Sequence, residues 1–143
     1  MDVNCIFCKI VSDQLPSAKV YEDSKVLAFM NLQQRNPGHT LVVPKKHVVN
    51  IYDVSEDTAA DVARITVRIA KAIKQRFRPD GVNTLQNSER AAMQSVMHYH
   101  VHVIPRYFGD DLLEIWDSEA ATPEELDTNA KRLREALENP DTN

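Results

Sequence analysis

The chain has 143 residues, 43% of them hydrophobic, which suits one domain over residues 1–143 with a sizeable core. Its 17 basic and 21 acidic side chains leave a formal charge of −4, and this excludes a whole-surface basic field that would draw in DNA or RNA by counterion release, so any phosphate must be recognised locally. The opening MDVNCIFCKIVSD lacks a secretory pattern, no apolar stretch is long enough to span a bilayer, and two cysteines are too few for a disulfide framework; the expectation is a cytoplasmic protein with no nucleic-acid or membrane partner.

Within residues 17 to 32 the run KVYEDSKVLAFMNL holds two short apolar stretches around Glu22-Asp23-Ser24-Lys25, a hairpin pattern. The turn pair Pro37-Gly38 then introduces a third strand, His39 to Val43, ended by Pro44. Ser55 followed by Glu56 and Asp57 starts a long helix whose apolar positions Val62, Ile65, Ile69 and Ile73 recur at helical spacing until Pro79 and Gly81. Val82 to Gln86 reads as a strand, and Met97 to Ile104 as another with even-numbered residues on one face. Thr122-Pro123-Glu124-Glu125 carries the cap, first-turn proline and glutamate of a capping box, followed by a stripe of Leu126, Ala130, Leu133 and Leu137. Strands, a long helix and strands again predict an α+β domain: an antiparallel five-stranded sheet with one long helix and a C-terminal helix.

Three of the five histidines fall in His98-Tyr99-His100-Val101-His102. On a strand, side chains at i and i+2 are about 6.6 Å apart at the backbone, so the three line one row and each can hold a different task. A neutral imidazole is a competent nucleophile, with its attacking nitrogen selected by whatever orients the other one. A His-x-His pair can equally chelate zinc with further ligands. Spacing alone leaves metal ligation, nucleophilic catalysis and a structural role open.

The run His98-Tyr99-His100-Val101-His102-Val103-Ile104 resembles the His-φ-His-φ-His-φ-φ signature of the histidine triad (HIT) family, φ being apolar. The resemblance extends to Gln94-Ser95-Val96, Asn87, the block from Pro37-Gly38-His39 to Pro44-Lys45-Lys46-His47, and Cys5-Ile6-Phe7-Cys8-Lys9-Ile10. It covers a core of about residues 5–106, with an extension bearing the last helix over about 107–138. That extension, Trp116 included, lies where the family varies and shapes leaving-group specificity.

The resemblance implies a nucleotide hydrolase or nucleotidyl transferase in which His100 attacks the α-phosphate of a purine nucleoside phosphoramidate or dinucleoside polyphosphate, and water then hydrolyses the nucleotidyl-histidine. By the family's pattern His102 contacts the phosphate or leaving group, Gln94 and Ser95 add polar contacts beside Val96, and His39 supports the cluster with His98. Ile6, Phe7, Phe29, Leu32 and Leu41 match the apolar base and sugar slot, with Asn31 and Asn87 as polar contacts; taken without the resemblance, those five apolar residues read as ordinary core. A homodimer is implied as well.

Cys5 and Cys8 supply half of a tetrahedral zinc site. The resemblance, to the bacterial zinc-containing branch of the family, completes it with His47 and His98 as a structural zinc with no open position. A redox Cys-x-x-Cys and two unligated thiols are the other readings of that pair.

Two departures stand out. Asn31 replaces a common aspartate, and an amide offers one oxygen acceptor where a carboxylate offers two to the ribose hydroxyls. Met93 replaces a glycine suited to close backbone approach or positive φ. They motivate a second hypothesis, a nucleotide-binding interaction module with weak catalysis, and a third takes the triad as ligands of a metal-dependent hydrolase.

Overall fold

The computed structural model describes residues 2–112 and 120–138. Its elements are α1 (Ile6–Val11), β1 (Lys19–Glu22), β2 (Val26–Met30), β3 (Thr40–Pro44), α2 (Glu56–Phe77), β4 (Gly81–Gln86), a 3₁₀ turn (Arg90–Ala92), β5 (Val101–Arg106) and α3 (Pro123–Glu138). The five strands form one antiparallel sheet in the order β1-β2-β3-β5-β4. This is the α+β architecture expected from the strand and helix pattern.

Strand alternation sorts the core into two faces. Val26 and Ala28 of β2, Val42 of β3 and Val103 of β5 pack with Val62, Ile65, Ile69 and Ile73 of α2. The alternate residues Leu27, Phe29, Leu41 and Val43 pack with Cys5, Phe7, Cys8, Ile10 and Val11 around α1. Each fully buried aliphatic side chain contributes about 1.5–3 kcal/mol relative to exposure, so both faces of the sheet contribute to stability. Ser55 caps α2 by accepting a hydrogen bond from the Thr58 N–H at 3.3 Å.

The register places His102 opposite Leu41, and therefore on the α1 face of the sheet. The strand expected over Met97 to Ile104 instead begins at Val101 and runs to Arg106. Pairing of β3 with β5 ends at Val42 and Val101, two residues short of Pro44, which has no N–H to donate to a ladder. The chain before Val101 turns to other partners: the Tyr99 N–H donates to the Val48 carbonyl at 2.7 Å, and the His98 N–H to Val96 at 2.9 Å. The short helix α1 is an element that the sequence pattern does not announce.

The chain divides into two compact units, residues 1–112 and 113–143. In the second, α3 begins with the reciprocal capping box: the Thr122 N–H donates to Glu125 Oε2 at 2.8 Å, and the Glu125 N–H to Thr122 Oγ1 at 3.3 Å. No side chain of α3 is buried, and Trp116 lies outside the described residues. Among the described residues no helix is long and apolar enough to cross a membrane.

Candidate active site and metal centre

Four residues from three separate segments converge behind the sheet's α1 face. The ligand atoms of Cys5, Cys8, His47 and His98 all lie within 4.8 Å of one another. Individual separations are 3.5 Å from Cys5 Sγ to His98 Nδ1, 3.7 Å from Cys8 Sγ to His98 Nδ1 and 3.3 Å from Cys8 Sγ to His47 Nδ1. Zinc bonds of about 2.3 Å to sulfur and 2.0–2.1 Å to nitrogen put tetrahedral ligands roughly 3.4–3.8 Å apart, so this set could hold the ion with little movement.

The second ring nitrogen supports that fit. His98 Nε2–H donates to the Pro44 carbonyl at 2.8 Å, which leaves Nδ1 as the bare, ligating nitrogen. Burial pushes His98 down to about 4, holding it neutral as a ligand must be. The Cys5 thiol, raised by burial, is the group a zinc ion would convert to thiolate.

His100 is 2% exposed and packs edge-on against Phe7 at 5.3 Å between ring centroids. Its Nδ1 lies 2.6 Å from the His98 carbonyl, which can only accept, so Nδ1 carries the proton and Nε2 keeps its lone pair. Burial lowers the pKa of His100 while that carbonyl opposes the shift, and burial takes His102 down to about 4. The two rings are 4.9 Å apart, and His102 Nδ1 meets His39 Nε2 at 2.9 Å. His39 is also buried and lowered, first by burial and then by the Arg35 charge.

His39 closes a loop that runs from Asn31. Gln34 plugs this loop: its Oε1 accepts the N–H groups of Gly38 and His39, both at 3.0 Å, and its Nε2 donates to the His39 carbonyl at 2.8 Å. Asn36 Nδ2 ties the loop to the end of β5 through the Pro105 carbonyl at 2.8 Å and Asp110 at 2.9 Å. The Arg106 guanidinium grips Asp110 and holds its carboxyl well below the usual carboxylate range. Gly38 has φ +101°, a backbone conformation that favours glycine, and a Cβ there would sit 3.1 Å from the Phe77 ring. Gln34, Asn36 and Asp110 are scaffold residues that no sequence motif singles out.

The expected slot residues do not all gather. Phe7, Phe29 and Leu41 are buried together, with Val96 packed against them and Phe7 edge-on to Phe29 at 5.4 Å. Ile6 is half-exposed on the same segment, whereas Leu32 is 97% exposed on the loop. Asn87 is partly buried just after β4, and Ser95 is exposed. Gln94 is buried with its amide engaged inside the protein: Oε1 accepts the Glu89 N–H at 2.7 Å, and Nε2 donates to the carbonyls of Val49 at 2.7 Å and Val96 at 3.0 Å. It braces the segment that presents Ser95. Met93, beside it, has φ 65°, the conformation that glycine adopts without cost and that charges other residues about 1–2 kcal/mol.

A bare imidazole nitrogen on the face of a five-stranded sheet, flanked by two further histidines and a Cys₂His₂ cluster, defines a histidine-triad domain. The HIT domain family model matches residues 12–109, and the chain belongs to the HIT family. A crystal structure of a HIT family member from Bacillus subtilis is similar with a TM-score of 0.88 and 44% identity, over 92% of this chain and 96% of that one. Adenosine 5'-monophosphoramidase hnt1 of Schizosaccharomyces pombe is 37% identical over 125 residues, 87% of this chain and 91% of that protein. A zinc-bound histidine triad family protein from Mycobacterium smegmatis is similar with a TM-score of 0.74 and 37% identity, over 93% of this chain and 97% of that one. The expected zinc set thus stands beside a zinc-bound relative of the same fold.

Proposed function

We propose that the protein is a nucleotide hydrolase or nucleotidyl transferase acting through a covalent nucleotidyl-His100 intermediate on purine nucleoside phosphoramidates or dinucleoside polyphosphates. The observation that carries this reading is the hydrogen bond of His100 Nδ1–H to the His98 carbonyl at 2.6 Å, which leaves Nε2 as the bare nitrogen of the middle histidine. The Nε2 lone pair would attack the α-phosphorus as the bond to the leaving amine or phosphate breaks, the departing group taking a proton. Water would then attack the same phosphorus and return the electron pair to Nε2, releasing the nucleoside monophosphate. Phe7, Phe29 and Leu41 offer an apolar wall for a purine, and the exposed Ser95 hydroxyl a donor for phosphate oxygens. The named activity of the fission yeast relative favours phosphoramidates as the first class to try.

Four protein ligands would leave zinc without an open position, so in this reading the metal is structural and the chemistry belongs to His100. The test is turnover of an adenosine phosphoramidate and a diadenosine polyphosphate, with trapping of the nucleotidyl-protein under alkaline denaturing conditions, where a histidyl P–N bond survives, and mass mapping to His100. Tight nucleotide binding with no turnover would replace this reading with a binding module.

The protein in this reading is a two-fold homodimer. Strand β4 lies at the sheet edge, and an unpaired row of N–H and C=O groups invites a second strand. Beside it Val67 of α2 is about half exposed, giving the interface an apolar component. Sedimentation at micromolar concentration is expected to give twice the chain mass; a monomer would remove the claim.

A further inference from the structure

Asp2, which no motif singles out, touches three of the four residues of the Cys₂His₂ cluster. Its backbone N–H donates to Cys8 Sγ at 3.4 Å, and its carbonyl accepts the Cys5 N–H at 3.2 Å. Its carboxylate divides its two oxygens between the turn and the cluster. Oδ1 accepts the Asn4 N–H at 2.8 Å, closing a turn that leads into α1, while Oδ2 faces His47 Nε2 at 4.0 Å. The fourth member, His98, has its own support in the Pro44 carbonyl at 2.8 Å.

A histidine that ligates zinc through one ring nitrogen carries its proton on the other, and that N–H ordinarily donates to a carboxylate, a carbonyl or water, which fixes the ring and makes it a better ligand. His47 turns Nδ1 to the cluster, 3.3 Å from Cys8 Sγ, so a zinc-bound His47 keeps its proton on Nε2, the atom that Asp2 faces. At 4.0 Å the two are within ion-pair reach but too far for a direct hydrogen bond; a rotation of the half-exposed Asp2 side chain, or one bridging water, closes that gap. The Asp2 N–H points at the sulfur that becomes negative when a metal binds, and a donor to an ionised group is roughly twice as strong as one to a neutral group. We propose that Asp2 is a positioning residue of the zinc site: its carboxylate holds the His47 ring by the Nε2–H and its N–H stabilises the Cys8 thiolate, so that both ligands are aimed before the ion arrives. The assignment concerns metal binding and does not depend on the nucleotidyl-transfer reading.

The experiment is zinc affinity of the full chain by competition with a chromogenic chelator, with melting curves of the metal-free and zinc-loaded forms, on the wild type, Asp2→Asn and Asp2→Ala. Asparagine keeps an oxygen for the Asn4 N–H and the backbone N–H to Cys8, but not the negative charge facing His47. Alanine keeps only the backbone N–H. Zinc binding is expected to weaken about 10-fold in Asp2→Asn and up to about 100-fold in Asp2→Ala, the range for loss of a partner behind a metal ligand. The three metal-free proteins should melt together, and only the zinc-loaded forms should separate, because a residue that acts through the ion stabilises the fold only by mass action. Metal-free variants that lose as much Tm as the loaded ones overturn the proposal, since Asp2 would then support the local fold alone, as does an affinity unchanged in both variants. A wild type that takes up no zinc overturns it together with the site, and none of these readouts involves turnover.

Discussion

His100→Ala is expected to lower turnover of an adenosine phosphoramidate by about 10⁴-fold or more, the scale seen when a covalent nucleophile is deleted and only binding and oxyanion contacts remain. His100 keeps an unprotonated Nε2 because its Nδ1–H donates to the His98 carbonyl, whereas His98 turns its Nδ1 to the cysteines and His102 turns its Nδ1 to His39. Alanine also leaves the His98 carbonyl without its donor in a buried place, at about 1–3 kcal/mol, and removes the ring against which Phe7 packs. Loss of activity from that variant alone would therefore mix chemistry with scaffold. His100→Asn separates them, because its amide still offers the carbonyl an N–H while supplying no nucleophile. The expected result is an Asn variant that melts near the wild type and is as inactive as the Ala variant, with no trapped nucleotidyl-protein. A His100→Asn protein retaining a tenth of wild-type turnover would sink the covalent mechanism.

Much of the fold was legible because its signals are local. Ser55, the acids after it and the spacing of Val62, Ile65, Ile69 and Ile73 define α2, and Thr122 with Glu125 define the start of α3. Helix α1 escaped for a physical reason: IFCKIV is six residues, too short to display a helical period, and its burial depends on partners some 90 residues away. The start of β5 escaped for a related one. Alternation from Met97 onward satisfies the period of a strand, but whether the ladder continues is decided on the neighbouring strand, where Pro44 cannot donate.

The candidate site divides in the same way. Residue types with few structural uses, two cysteines and five histidines, point to the metal cluster and the triad from sequence spacing and resemblance. The groups that orient His98 and His100 are backbone atoms, the carbonyls of Pro44 and His98, and these have no sequence signature. Gln94 shows the reverse: a residue expected at the phosphate by resemblance has its amide fully engaged in bracing the loop. Met93, expected to stand where glycine would permit positive φ, does adopt φ 65°, so the backbone demand persists although the residue has changed.

Cys5→Ala is expected to strip the protein of zinc and to lower its Tm by about 6–20 °C. The metal would join residues 5 and 8 to residues 47 and 98, so it fastens the α1 segment to the loop after β3 and to the approach to β5. Helix α1 is far below the length at which helices persist alone, about 12–15 residues, and is held by Phe7, Ile10 and Val11 against the sheet together with the metal. Structural zinc contributes about 10–16 kcal/mol in finger peptides whose whole fold depends on it. Here the sheet and α2 retain their own core, so the loss should be smaller, about 3–5 kcal/mol, and each kilocalorie moves Tm by about 2–4 °C in a chain of this size. Activity should fall with the same transition, because Phe7 leans on both His98 and His100 and would no longer be fixed there. Metal analysis of protein purified without added zinc, with melting curves for wild type, wild type plus chelator and Cys5→Ala, tests each link. A wild type without metal removes the site. Chelation that abolishes turnover while leaving the melting curve unmoved would instead make the ion part of the chemistry, and His98 a ligand to a catalytic metal.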